Sequence, residues 1–117
     1  MKHEDYSCSF GCSVEVAIEA IGGKWKGVIL HHLTTSEYRR FNELTRLMPK
    51  VTQRMLTKQL RELEKDEIVL RTVYAEVPPR VEYRLTSFGQ TLKPILAELE
   101  QWGAQYLKKF SQNRADS

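Results

Sequence analysis

Pro49 interrupts two amphipathic patterns that would otherwise read as a single helix. Proline lacks a backbone N–H and pushes the residue before it away from helical backbone, so the chain must break near residues 48–49. Before the break, "FNELTRL" places Phe41, Leu44 and Leu47 at helical spacing. After it, "VTQRMLTKQLRELEKD" gathers Met55, Leu56, Leu60 and Leu63 into one apolar stripe, with Thr52 placed to cap the first turn. Two short helices, over 41–47 and 52–64, joined by "MPKV" have the size and spacing of a helix-turn-helix. The outer face of the second helix is chemically biased. Gln53, Arg54, Thr57, Lys58 and Arg61 fall together there; all are hydrogen-bond donors and none is acidic. The acids Glu62, Glu64, Asp66 and Glu67 are held back to the C-terminal end. A merely solvated helix mixes signs and favours Glu–Lys pairs. A donor-only face instead suits the major groove of a duplex, where guanine offers two acceptors between flanking phosphates.

The following stretch alternates in the manner of strands. Val69, Arg71 and Val73 alternate with Leu70, Thr72 and Tyr74; on the return, Val81, Tyr83 and Leu85 share one face while Arg80, Glu82 and Arg84 take the other. Between them, Pro78 and Pro79 cannot donate to a ladder and so mark the tip of a hairpin. A two-stranded ribbon is marginal alone and must pack on the helices; "YRRF", residues 38–41, offers a third strand. Helix-turn-helix followed by hairpin is a winged-helix arrangement, mainly α with a small β wing (α+β). The expectation for the tip is a wing in which the prolines lower the entropy of ordering and Pro79 and Arg80 meet the duplex, Arg80 supplying a cation. Arg40 and Lys50 are expected on the sugar-phosphate backbone. The charge distribution agrees: from Arg39 to Arg71 nine Lys/Arg face five acids, an excess of four that exceeds the net +3 of the whole chain. A polyanionic partner is implied.

A chain of 117 residues with 41% apolar content fits one domain. Upstream, Gly22-Gly23 separates two helical patterns: Val14, Ala17, Ile18 and Ile21 before it, with Ser13 as candidate cap, and Trp25, Val28, Ile29 and Leu33 after it. Downstream, "TSFGQTLKPILAELEQWGAQYLKKF" predicts a long helix bent at Pro94. Its Leu92, Ile95, Leu96, Leu99, Trp102, Tyr106, Leu107 and Phe110 cover more of the circumference than one small core hides. A second copy of the chain is expected there, with Val14, Ile18 and Ile21 of the first helix beside it. The expected divisions are an arm over 1–12, the winged domain with its dimerisation helix over 13–110, and a disordered tail over 111–117.

No run reaches the length of a membrane span and "MKHEDYS" is not a signal peptide, so a cytoplasmic chain with reduced thiols is expected. Catalysis is not expected: His31 and His32 are adjacent and cannot face one site, and no phosphate-cradling loop or nucleophile elbow is present. No cofactor is expected, and His3, Cys8 and Cys12 without a second cysteine pair do not make a metal site. Cys12 stands at an expected helix start, where the partial positive charge favours a thiolate and Glu15 opposes it. Cys8 lies four residues away, so either thiol has a local or an intersubunit partner within reach.

The stretches "IGGKWKGVILHHL" and "RRFNELTRLMPKVTQRMLTKQLRELEKDEIVLRTVYAEVPPRVEYRLTSFGQTLKPIL", with Trp102, resemble the HxlR-type family of bacterial winged-helix transcriptional regulators, relatives of the MarR type, over roughly residues 12–105. The resemblance implies a homodimer on an inverted-repeat operator, often a repressor and sometimes an activator. It places the recognition helix at Thr52–Leu63 and the wing at Ala75–Val81. Many members carry a cysteine just before the first helix, and several of those sense electrophiles, disulfide stress or hypochlorite; the matching residue is Cys12. The family's usual proline after it is Ser13 here, and Cys8 has no regular counterpart. Two alternatives stand beside this reading: a regulator that answers a small molecule instead of thiol chemistry, and a winged helix that docks protein, for which apolar anchors would be needed among residues 53–61.

Overall fold

The computed structural model describes residues 12–115. Their order is α1 (Cys12–Ile21), α2 (Lys26–Thr34), β1 (Arg39–Arg40), α3 (Phe41–Leu47), α4 (Gln53–Lys65), β2 (Val69–Tyr74), β3 (Arg80–Leu85), α5 (Ser87–Gln90) and α6 (Lys93–Ala115). The three strands form one antiparallel sheet in the order β1-β3-β2, and β3 runs opposite β2 from Val69↔Leu85 to Tyr74↔Arg80. β1 pairs Arg39 with Tyr83 and Arg40 with Glu82. "YRRF" thus supplies the third strand through its two arginines. This is a winged helix.

Local chemistry sets each boundary. α1 stops at Gly22-Gly23, and Gly23 takes φ +85°, a left-handed conformation that ends a helix cheaply only for glycine. α3 opens with Glu43 Oε1 accepting from the Arg40 amide at 2.9 Å. It closes with the Met48 amide donating to the Leu44 carbonyl, ahead of Pro49. α4 is capped by Thr52, whose side-chain oxygen accepts from the Met55 amide at 3.1 Å. The turn from β3 into α5 is pinned by Thr86, whose hydroxyl donates to the Glu67 carbonyl at 2.6 Å. Gly89 must be glycine, because a Cβ there would lie 2.1 Å from the Ile68 carbonyl oxygen.

The core lies between α2, α3, α4 and the inner face of the sheet. Ile29, Leu30 and Leu33 meet Leu44 and Met48, then Leu56, Leu60 and Leu63, with Ile68, Val69, Tyr83 and Leu85 closing the far side. The expected stripe of α4 is therefore the buried one. In α2 the buried arc is Lys26, Ile29, Leu30 and Leu33, and Val28 is exposed. That arc runs through a charged residue. Lys26 Nζ sits 2.7 Å from Glu62 Oε1 on α4, with the lysine side chain only 7% exposed. An ammonium so buried requires a partner, so this pair sets where α4 lies against α2.

Four expectations need correction. Ser13 is inside α1, which begins at Cys12, so it does not cap from outside. The C-terminal helix does not bend at Pro94: the chain breaks at Thr91-Leu92, and Pro94 occupies the first turn of α6, where a missing N–H costs nothing. α6 continues to Ala115, so the segment over 111–115 expected as tail is helical backbone. Glu82, placed by alternation on the solvent face of β3, is 3% exposed, because β3 is the central strand and arginines close over its outer face.

Candidate nucleic-acid interface

α4 presents the face read from its sequence. Gln53, Arg54, Lys58 and Arg61 are exposed and Thr57 is half-buried. With Phe41 of α3 and, at its C-terminal edge, Glu62, these five line an open groove of about 620 Å³. The thirteen-residue helix is roughly 20 Å long. Its donors thus begin at the first turn and span two. Thr52 is expected with these five to contact DNA, and two of the six are partly committed inside the helix. Thr52 uses its oxygen as the cap, and the Thr57 hydroxyl donates to the Gln53 carbonyl at 2.8 Å. The strong outward donors are therefore Gln53, Arg54, Lys58 and Arg61. Arg40, just before α3, and Lys50, in the turn between α3 and α4, are both exposed.

The wing differs from a free cationic finger. Pro79 is exposed and Val77 stands fully out at the tip. Arg80 instead lies back on the sheet. Its Nη2 is 3.4 Å from Glu76 Oε1, its Nε is 3.3 Å from Glu82 Oε2, and its guanidinium stacks over the Tyr74 ring at 4.2 Å. The Nε contact lies outside hydrogen-bond alignment. Arg84 grips the same carboxylate from the other side, Nη2 to Glu82 Oε1 at 3.2 Å, and leans over Tyr38. Directly opposite partners share a sheet face, so Arg40 also stands across from Glu82. Alternation along β3 put the two arginines beside Glu82. It gave no sign that they clamp it, nor that Glu76 and Tyr74 join them.

The residues expected at an intersubunit contact divide in two. Ile21, Leu92 and Leu96 pack against the core. Val14 (62% exposed), Ile18 (63%), Ile95, Leu99, Trp102 (63%) and Tyr106 remain open, with Leu107 and Phe110 beside them. Along α6 the rings of Trp102, Tyr106 and Phe110 form a ladder with centroids 5.5 and 4.6 Å apart. Few monomers leave so many large apolar side chains in water on two helices. Cys12, half-buried, is the first residue of α1. Cys8 lies outside the described residues. No described helix is long and apolar enough to cross a membrane.

Comparison with known proteins agrees with this geometry. The family model described as HxlR-like helix-turn-helix matches residues 20–111. The HTH-type transcriptional regulator YdeP of Bacillus subtilis is 51% identical over 105 residues, spanning 90% of this chain and 81% of that protein. Among solved structures, the redox regulator HypR in its reduced form superposes with a TM-score of 0.80 at 50% identity, covering 86% of this chain and 98% of the other. HypR in its oxidised form gives 0.76 at 54% identity, covering 80% and 96%.

Proposed function

Because this chain belongs to the HxlR-like helix-turn-helix family, whose members are transcriptional regulators and not enzymes, we propose that it binds an inverted-repeat operator as a homodimer, usually to repress. The observation that carries this is the donor-rich face of α4, where Gln53, Arg54, Lys58 and Arg61 are exposed along a groove in which Glu62, already paired with Lys26, is the one acid. Arginine and glutamine at such positions match the acceptor patterns of guanine and adenine edges. Arg40 and Lys50 supply cations to the flanking phosphates. Apolar anchors suited to protein docking are not among residues 53–61 of that face, which favours DNA over a protein partner.

Dimerisation follows from the open apolar side chains of α1 and α6. A second copy covers them and sets two α4 helices against half-sites about one helical turn, ~34–36 Å, apart. For the signal, Cys12 begins α1, the helix that carries Val14 and Ile18, and HypR, 50% identical, is a redox regulator. Oxidation of Cys12 is placed to alter how the two subunits meet, and so the spacing of their recognition helices. Selection of bound fragments from genomic DNA, followed by titration at several salt concentrations, tests the core of this reading. Arg54→Ala and Lys58→Ala should weaken binding by about 1–3 kcal/mol each, Arg54 with relaxed sequence preference and Lys58 uniformly. Wild-type protein that fails to bind any duplex at low ionic strength would refute it.

A further inference from the structure

Between α3 and the wing lies an open cleft of about 420 Å³ lined by Arg40, Asn42, Glu76, Pro78 and Arg80, among others. We propose that this cleft takes a DNA backbone phosphate and that Glu76 occupies its arginine until the duplex arrives, an inference that rests on the DNA-binding reading above.

Labour is divided around one guanidinium. Arg80 meets two carboxylates through two different nitrogens: Nε faces Glu82 and Nη2 faces Glu76. The two carboxylates are unlike. The Glu82 side chain is 4% exposed and is also held by Arg84, so it stays in place. The Glu76 side chain is 51% exposed and reaches Arg80 from the open side of a tight hairpin, with no strand register to fix it. Tyr74 supports the flat face of the guanidinium. Arg80 is thus held on its flat face by Tyr74 and at Nε by Glu82, and Nη2 is left to Glu76, which lines the same cleft. A guanidinium binds phosphate through such an edge by charge-assisted hydrogen bonds. Arg40, on the same sheet face, provides a second cation at the other wall.

Glu76 is chemically similar to the incoming ligand. It is an anion bearing oxygen acceptors at the same nitrogen. While it is paired, residues 74–81 carry one acid and one base and present no net charge to a duplex. Binding therefore proceeds by exchange: a phosphate oxygen replaces Glu76 at Nη2, while Glu82 keeps the guanidinium oriented. Only hydrogen bonds and ion pairs change partners.

The test is a four-chain cycle of wild type, Glu76→Gln, Arg80→Ala and the double variant. Each binds the selected operator fragment over a range of salt, with thermal melting to verify folding. If Arg80→Ala does not fold, Arg80→Gln replaces it. Glu76→Gln should tighten binding by about 2- to 5-fold at low salt, the size of a half-exposed ion pair. Its log–log salt slope should change by well under about 0.9, because the same phosphate contact forms in both chains. The loss caused by Arg80→Ala should be about 2- to 5-fold larger in the Glu76→Gln background than in the wild-type background. Equal Arg80→Ala losses in both backgrounds would show that Glu76 acts as a plain repelling charge, and an unchanged affinity of Glu76→Gln would show that it does nothing; either result overturns the proposal while leaving the DNA-binding reading intact. Wild-type protein indifferent to DNA removes both.

Discussion

Replacing Glu62 by Gln should reveal how the recognition helix is seated. The substitution keeps the shape of the side chain and removes the carboxylate 2.7 Å from Lys26 Nζ. The lysine is 7% exposed and Glu62 41% exposed, so the two ends of the pair differ in what they lose. A fully buried pair costs about 3–5 kcal/mol to break and a surface pair about 0.2–1, so a pair with one buried end should lie near 2 kcal/mol. For a domain of this size that lowers Tm by about 8–12 °C. The opposite substitution, Lys26→Met, should be milder, because Glu62 regains water whereas Lys26 does not. The double variant should recover at least about half of the Glu62→Gln loss, since an apolar chain then occupies the buried site. Urea unfolding at one fixed protein concentration measures all four chains, the fixed concentration removing any contribution from association. Glu62→Gln within about 0.5 kcal/mol of wild type, or a double variant no more stable than Glu62→Gln, would refute the account of a buried ammonium dependent on its partner.

Three further outcomes are expected. Leu99→Glu and Trp102→Glu, both on the open face of α6, should give folded monomers by sedimentation at micromolar concentration where wild type is dimeric; a wild-type monomer would count against the second copy. Diamide should change operator binding by wild type and not by Cys12→Ser, and identical responses would remove Cys12 as the sensor. Burial, then His31 and Arg39, hold the His32 imidazole below its ordinary pKa of 6.5. The unfolded chain therefore binds more protons below that pH. Stability should fall as pH drops from 7 toward 5, and His32→Asn should flatten the slope; an equally steep profile in that variant would show that another group carries it.

The parts of the molecule that were legible in sequence are those whose determinants are local. α4 could be read because its cap, its stripe and its donor face all lie within fifteen residues, and α3 because Pro49 forces its end. The wing was legible as a hairpin from two prolines between alternating runs. What escaped depends on pairing across distance. The buried arc of α2 is an i, i+3, i+4, i+7 stripe, yet its first member is Lys26, and the anion that makes that burial tolerable is 36 positions away. Glu82 looked solvent-facing because alternation cannot say which strand lies in the middle of a sheet. Arg80 read as a free cation because its two carboxylate partners matter only once the hairpin folds back. The apolar excess of α6 was visible, and its division into core and open faces required the position of the sheet.

β1 is two residues long and passes into α3 with no intervening loop. Its ladder partner is the strand that returns from the tip. One inserted residue between Arg40 and Phe41 would swing α3 by about 100° around its own axis, whereas added residues at the tip would only lengthen an arm. Evolution can therefore vary the reach of this protein along a duplex at residues 75–79, but is denied any slack at the junction that ties reader to arm.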